Sequence, residues 1–373
     1  MHRRTDRRAR FPVPIFHNER PGSPAPLRYQ PLTAGTRSRW ARIVGSPDVD
    51  AAMIAASTGI PAASTAAVLP LAPGVYRFRD QAGRVLYIGR AVSLRRRVRS
   101  YWGDLGDRTH LAPMVARIAQ VEAVPCDSAH EAAWLERNLL ERRLPPWNRS
   151  PGGQESAVWI RLSTTPRAPG LTVVRRPAPG DFGPYLGGQK ARDAVSGLNR
   201  VLPLGHAADH RAGTGRELAR VRGAAPAERA GLARGIAAVL SRDRAAVAAL
   251  RAELTARRDA AAAALAFEFA AKLQAELEAV DWVTAEQKVT RDQREQPDAD
   301  VHGWAGGVLV GFEVRGGRLS GWRQRPCTAA AARRYLDRSA PGWAGFARRS
   351  AELAARLRSP QAELAARLRT STP

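Results

Sequence analysis

The chain has 373 residues and a formal net charge of +25, with 59 Lys and Arg against 34 Asp and Glu. That length allows two or three domains, and the charge points to nucleic acid, because clustered cations displace the counterions condensed on phosphate; nearly all of it is arginine in an Ala-, Gly- and Pro-rich background, a mix that a G+C-rich genome also produces. The two cysteines, Cys126 and Cys327, stand in no metal-ligand spacing, which argues against a structural zinc or an iron–sulfur cluster and for a reduced, cytoplasmic protein. No apolar run approaches the roughly 20 residues of a membrane span, and the N-terminus lacks the apolar core of a signal peptide, so no membrane partner is expected.

Residues 1–68 read as a disordered basic extension. They open on Arg3, Arg4, Arg7, Arg8 and Arg10 and continue with scattered Pro, Ser and Thr, too little apolar surface to offset chain entropy. Residues 69–150 form the first compact domain. Two short apolar runs around Val75–Phe78 and Val85–Ile88, joined by a turn containing Gly83, predict a pair of strands. Ser93 then opens a helix as its N-cap. A second helix is predicted over 111–120 and a strand over 121–126. Ser128-Ala129-His130-Glu131 has the form of a capping box and starts a helix that ends before Pro145-Pro146. Residues 151–225 hold strands at 157–163 and 171–176, then Phe182-Gly183-Pro184-Tyr185 and a helix. Residues 226–283 are Ala-rich and helical, an antiparallel hairpin. Residues 284–330 predict a β-hairpin turning near Arg315-Gly316-Gly317-Arg318. The tail, 331–373, repeats Ala-Glu-Leu-Ala-Ala-Arg-Leu-Arg and predicts an amphipathic helix kinked at Pro360.

Chemistry concentrates in the first domain. Each of its first two strands carries a tyrosine, Tyr76 and Tyr87. Arg90, Arg97, Tyr101, Glu136 and Asn148 follow in that order. Arg97 and Tyr101 are four residues apart, so they stack on one helix face beside the Leu94 and Val98 stripe. Arg95, Arg96 and Arg99 lie off that face and suit contact with a phosphate backbone. On a helical wheel, Glu136 falls inside the apolar arc of Ala129, Ala132, Leu135, Leu139 and Leu140, with Glu131, Arg137, Asn138, Glu141 and Arg142 opposite. A carboxylate on a buried face needs a cation. Read alone, Glu136 fits an ion pair with an arginine or a metal ligand; the two-tyrosine strand pair upstream favours the metal. Hydrolysis of a phosphodiester needs a deprotonated water, neutralised phosphate charge and a stabilised leaving oxygen. One divalent cation, phenols and an arginine supply all three.

The stretch Leu71–Asn148 resembles the GIY-YIG domain of UvrC-type nucleases. Gly74-Val75-Tyr76 matches the first motif and Tyr87-Ile88-Gly89 the second. The Arg97/Tyr101 spacing, Leu135-Glu136-Arg137-Asn138-Leu139 and Asn148 also fit. The resemblance implies an α+β fold: a GIY-YIG domain with a central three-stranded, mainly antiparallel sheet flanked by helices, then a helical hairpin and a small β-hairpin region. It implies a metal-dependent DNA endonuclease of nucleotide-excision-type repair that makes a single incision. Tyr76 would be the base, Glu136 the ligand of Mg2+ or Mn2+, and Arg97 the stabiliser of charge. Tyr87, Arg90 and Tyr101 would orient water and phosphate, and Asn148 would buttress the site. Arg90 stands where the family usually has lysine, and arginine keeps its proton. Downstream, Asp181-Phe182-Gly183-Pro184-Tyr185 and Leu202-Pro203-Leu204 match weakly, and the cysteine cluster of many relatives is missing, so no iron–sulfur cluster is expected. The run 264–273 resembles the UVR motif, through which UvrC meets UvrB, so 244–283 is a candidate docking hairpin for a UvrB-like helicase. The alternative is an adaptor module that binds DNA and docks such a partner with a weak nuclease site.

Overall fold

The computed structural model describes residues 62–103, 105–149, 155–209, 213–221, 224–291 and 298–358. Most of the predicted basic extension, the second copy of the tail repeat and Pro360 lie outside the described residues. The end of the extension does not: Ala62–Val68 is helical (α1), and Ala66 and Leu69 are wholly buried in the first core.

The first sheet comprises β1 (Gly74–Arg79), β2 (Val85–Ala91) and β3 (Gln120–Pro125), in the order β2-β1-β3, with both pairings antiparallel. Between β2 and β3 run α2 (Leu94–Arg99) and the four-residue α3 (Ala112–Val115). The helix expected to reach residue 120 stops at Val115, and Gln120 already belongs to β3. Ser93 precedes α2 without capping it by its side chain. By contrast Ser128 caps α4 (Ala129–Arg142): its Oγ accepts from Glu131 N–H at 2.9 Å. The Glu131 carboxylate reaches one residue further back than a capping box requires and accepts from Asp127 N–H at 2.7 Å.

The second sheet holds β4 (Ala157–Ser163), β5 (Gly170–Val174) and β6 (Phe182–Leu186), in the order β5-β4-β6. β6 escaped the sequence reading because its Gly183-Pro184 pair signals a turn. α5 (Gly188–Val201) covers this sheet. After the short α6 (Thr214–Val221) come three helices, α7 (Arg229–Leu240), α8 (Arg244–Ala263) and α9 (Phe267–Thr284). α8 and α9 make the predicted hairpin, and α9 also lies along α5. The contact is close because Gly197 leaves room: a Cβ there would stand 3.2 Å from Glu276 Cβ and 3.4 Å from Leu254. Leu273, Leu277 and Val280 therefore share one core with the second sheet. At the tip, Leu265 adopts a left-handed backbone (φ 59°).

The region expected as a two-stranded hairpin is a third three-stranded sheet: β7 (Ala299–Ala305), β8 (Val308–Arg315) and β9 (Arg318–Pro326). Two Gly-Gly turns close it, Gly306-Gly307 and Gly316-Gly317, all four glycines at positive φ, as the right-handed twist of a tight hairpin demands. Only the second had been read as a turn. α10 (Ala329–Leu336) and α11 (Ala344–Arg358) follow, and α11 packs on β7, β8 and β3. The third sheet and α11 thus share a core with the first sheet and α4.

Candidate active site on the first sheet

Strand register builds the site. Tyr76 pairs with Gly89 and Phe78 with Tyr87. Tyr76, Phe78 and Tyr87 therefore share one sheet face. Gly89 is the space in which the phenols sit: a Cβ there would lie 2.5 Å from the Tyr76 hydroxyl and 2.7 Å from the Tyr87 ring. Gly74 meets a similar limit, since its Cβ would stand 2.3 Å from the Val124 carbonyl. The turn that follows α2 adds Tyr101, so the expected single helix face with Arg97 ends at Arg99; the Tyr101 ring centroid is 6.0 Å from that of Tyr76 and 6.2 Å from that of Tyr87. The Tyr76 and Tyr101 hydroxyls are 2.8 Å apart.

The three phenols differ in access. Tyr76 and Tyr101 are buried, while Tyr87 is only partly buried. Burial, then the neighbouring phenols, holds the Tyr76 hydroxyl well above its ordinary pKa. Burial and Tyr101 do the same for Tyr87. Both keep their protons at neutral pH. Arg97 lies half-buried against this cluster, its guanidinium carbon 5.6 Å from the Tyr101 ring centre. Arg108, which the sequence reading missed, approaches the same ring to 5.0 Å, and its Nη1 is buried with no hydrogen-bond partner. It sits in an irregular turn where no periodicity marks it.

Glu136 comes from α4 to the edge of β2. Its side chain is 21% exposed. Arg90 N–H donates to its Oε1 at 3.1 Å, and Arg90 Nε stands 3.4 Å from Oε2. Burial raises the Glu136 carboxyl above its ordinary range, against the pull of Arg90. Arg90 also lies 3.5 Å from Glu155, a second carboxylate absent from the sequence reading. Asn148 braces β2 from outside: Ile88 N–H donates to its Oδ1 at 3.0 Å and its Nδ2 donates to Ile88 O at 2.8 Å. The side chain thereby supplies a free strand edge with the pairing that a fourth strand would give. Of the predicted phosphate contacts, Arg96 and Arg99 are exposed. Arg95 is not free in the same way: its Nε donates to Leu69 O at 2.6 Å, tying α2 to the segment after α1.

Among the described residues no three His, Cys, Asp or Glu side chains gather into a metal-holding group. A single carboxylate is nonetheless a fitting anchor for Mg2+, which keeps most of its waters and takes further oxygens from substrate phosphates. Nor is any described helix long and apolar enough to cross a membrane.

A three-stranded antiparallel sheet with paired tyrosines, an arginine on the next helix and a glutamate on a later one is the arrangement that the resemblance to a GIY-YIG domain implies. The comparisons narrow it: the family model for the UvrC-like GIY-YIG domain matches residues 72–149. The chain is 38% identical to UvrABC system protein C of Geobacter metallireducens over 142 residues, 37% of this chain and 23% of that protein. Identity to the same protein of Trichlorobacter lovleyi is 36% over 140 residues, 37% and 23% of the two chains. For Protochlamydia amoebophila it is 34% over 148 residues, 38% and 24%. The match thus spans about a quarter of the length of these relatives, and it is residues 72–149 that are similar to the UvrC-like GIY-YIG domain.

Proposed function

We propose that the chain is a DNA endonuclease of nucleotide-excision-type repair, which hydrolyses one phosphodiester per encounter with the help of Mg2+ or Mn2+. The observation that carries this reading is the convergence of Tyr87, Arg97 and Glu136, each within electrostatic reach of the others, with an arginine-rich helix beside them. Glu136 would hold the cation, which when bound supplies positive charge at the phosphate. Arg97, which shares the Tyr101 ring with Arg108, neutralises charge that grows on the phosphoryl oxygens. Arg96 and Arg99 contact the backbone of the bound strand. We assign to Tyr87, the less buried phenol, the proton-acceptor role that the resemblance gives to Tyr76. Tyr76 and Tyr101 position it, and Asn148 fixes the strand that carries it. Arg90, which cannot serve as a base, holds Glu136 in place and can turn to a phosphate.

A second reading has its own support. The tip of the α8–α9 hairpin exposes Leu265, Phe267 and Phe269, at 73%, 66% and 45%, an apolar patch suited to a partner helix pair. The chain would then also dock a UvrB-like helicase, and an adaptor with a weak site is the limiting case.

A nicking assay on labelled duplex DNA, with and without Mg2+ and a UvrB-like protein, separates these readings. Glu136→Gln keeps the side-chain volume and removes the charge, so cleavage should fall by about 10²–10³-fold or more with the melting midpoint unchanged. The Tyr87 hydroxyl is protonated at neutral pH, and its acceptor form grows as pH rises; the rate should therefore climb from pH ~7 to ~9 without a plateau. Full activity in Glu136→Gln, or a rate flat in pH, would remove the respective residue from the mechanism. No cleavage under any condition would leave the adaptor.

A further inference from the structure

A cavity of about 800 Å³ opens beside the candidate site. Its near wall is Arg90 with Glu155, and its far wall is the second sheet and the start of α5. Arg175, Lys190 and Arg192 line it, and all three are exposed. Many arginines of this molecule form ion pairs with carboxylates. These three cations form none among the described residues; Arg192 donates to Gln189 at 2.8 Å, and Lys190 lies 5.6 Å from the ring centre of Trp282. Among the described residues, Glu155 is the one carboxylate in the cavity wall, and it already faces Arg90. Trp282 is partly buried in the same wall, its ring centre 4.2 Å from that of His130.

Unpaired cations repel one another across a concave wall, and a polyanion relieves that repulsion. The volume is that of a small-ligand site. Free cations beside an aromatic face are the elements that hold single-stranded nucleic acid, the cations on phosphate and the ring under a base. Arg90 belongs to both the cavity and the cleavage site, so one chain of phosphates can run from one into the other.

We propose that this cavity binds a single nucleic-acid strand, the continuation of the strand held at the cleavage site. The second sheet and α5 then act as a strand guide, and the enzyme prefers DNA in which the strand beside the scissile phosphate is already unpaired. The identity of that strand rests on the nuclease reading; the binding itself does not.

The test is fluorescence anisotropy of a labelled oligothymidine with the full chain, without divalent metal, across a salt series. Wild type is compared with Arg175→Glu/Lys190→Glu/Arg192→Glu and with Lys190→Glu alone, and thermal melting checks that each variant folds. The triple variant should bind the single strand at least about tenfold more weakly, with a log–log salt slope shallower by about 2 for three lost phosphate contacts. Duplex affinity should change less. An unchanged single-strand affinity and slope overturns the proposal. An equal loss on duplex overturns it too, since that marks a diffuse surface field. Competition by a mononucleotide as effective as by the oligomer would make the cavity a nucleotide pocket instead. Should wild type fail to nick DNA while the triple variant still loses the single strand, the nuclease reading falls and the cavity assignment stands.

Discussion

Gly89 shows how one missing side chain organises the site. Its strand partner is Tyr76, and the Tyr76 and Tyr87 rings close over it. The Tyr76 ring is wholly buried and held by Tyr101, so it cannot swing aside as an exposed ring would. Gly89→Ala should therefore destabilise the fold by about 1–3 kcal/mol through overpacking. Cleavage should fall by more than the unfolded fraction explains, because the phenols are displaced. Denaturant unfolding and nicking on the same preparation measure both. An alanine variant with native stability and rate would mean that the phenols tolerate movement. The acid side of the rate profile is also set by one residue. In the proposed mechanism Glu136 must be ionised to hold the cation, and burial raises its pKa, so cleavage should fail at a higher pH than it would with an ordinary carboxylate.

At the scale of elements, α4 marks the limit of sequence reasoning. Its wheel places Glu136 on the apolar side, and that face does meet β2. The opposite face should have been solvated, yet Glu131 and Asn138 are buried. The third sheet and the segment before it cover them. Lys288 N–H donates to Glu131 Oε1 at 2.9 Å, and Asn138 Nδ2 donates to Thr290 Oγ1 at 2.9 Å while its Oδ1 accepts from Arg318. Nothing within α4 announces partners some 150 residues away, because helical periodicity reports only local amphipathicity. The phenol cluster was legible for the opposite reason: its geometry follows from strand alternation and one turn. The first Gly-Gly turn could have revealed β7 as a third strand, whereas Arg108 and Glu155 carry no pattern. Glu131 gives the test at this scale. Its two oxygens accept from two different backbone N–H groups, Asp127 and Lys288. Glutamine offers one acceptor, so Glu131→Gln should leave one donor unpaired and cost about 1–3 kcal/mol. Equal melting midpoints would show that water replaces the lost partner.

Across the whole molecule, the first and third sheets are joined by a buried charge cluster. Glu122 on β3 takes both Arg77 and Arg79. Arg77 continues to β9, donating to Trp322 O at 2.8 Å with its guanidinium carbon 3.8 Å from the Trp322 ring centre. Burial alone would raise the Glu122 carboxyl, but the two guanidinium groups outweigh it and hold the pKa below its ordinary value. A carboxyl depressed by folding contributes stability above its unfolded pKa and loses it as pH falls through the folded one. Wild type should thus begin to lose this contribution below about pH 4. Glu122→Gln should lack it throughout and be less stable by about 3–5 kcal/mol at neutral pH, since Arg77 is left buried without its counter-charge. Because the cluster spans both sheets, Trp fluorescence and nicking activity should be lost together on unfolding. A small stability change, or two separate transitions, would mean that the sheets fold independently.

Leu265 is a residue at odds with folding. At the end of a helix a left-handed position suits glycine, and a side chain there costs about 1–2 kcal/mol. This chain keeps a leucine in that conformation and leaves most of it in water. Neither choice helps the isolated molecule. The position therefore offers a test in which stability and association move in opposite directions: Leu265→Gly should raise the melting midpoint and weaken capture of a UvrB-like C-terminal hairpin in a pull-down. A glycine variant that is more stable and captures as well as wild type would strip the tip of any recognition role. The opposing outcome would identify a local stability–function trade-off, in which the fold tolerates strain at one exposed residue for what that residue meets.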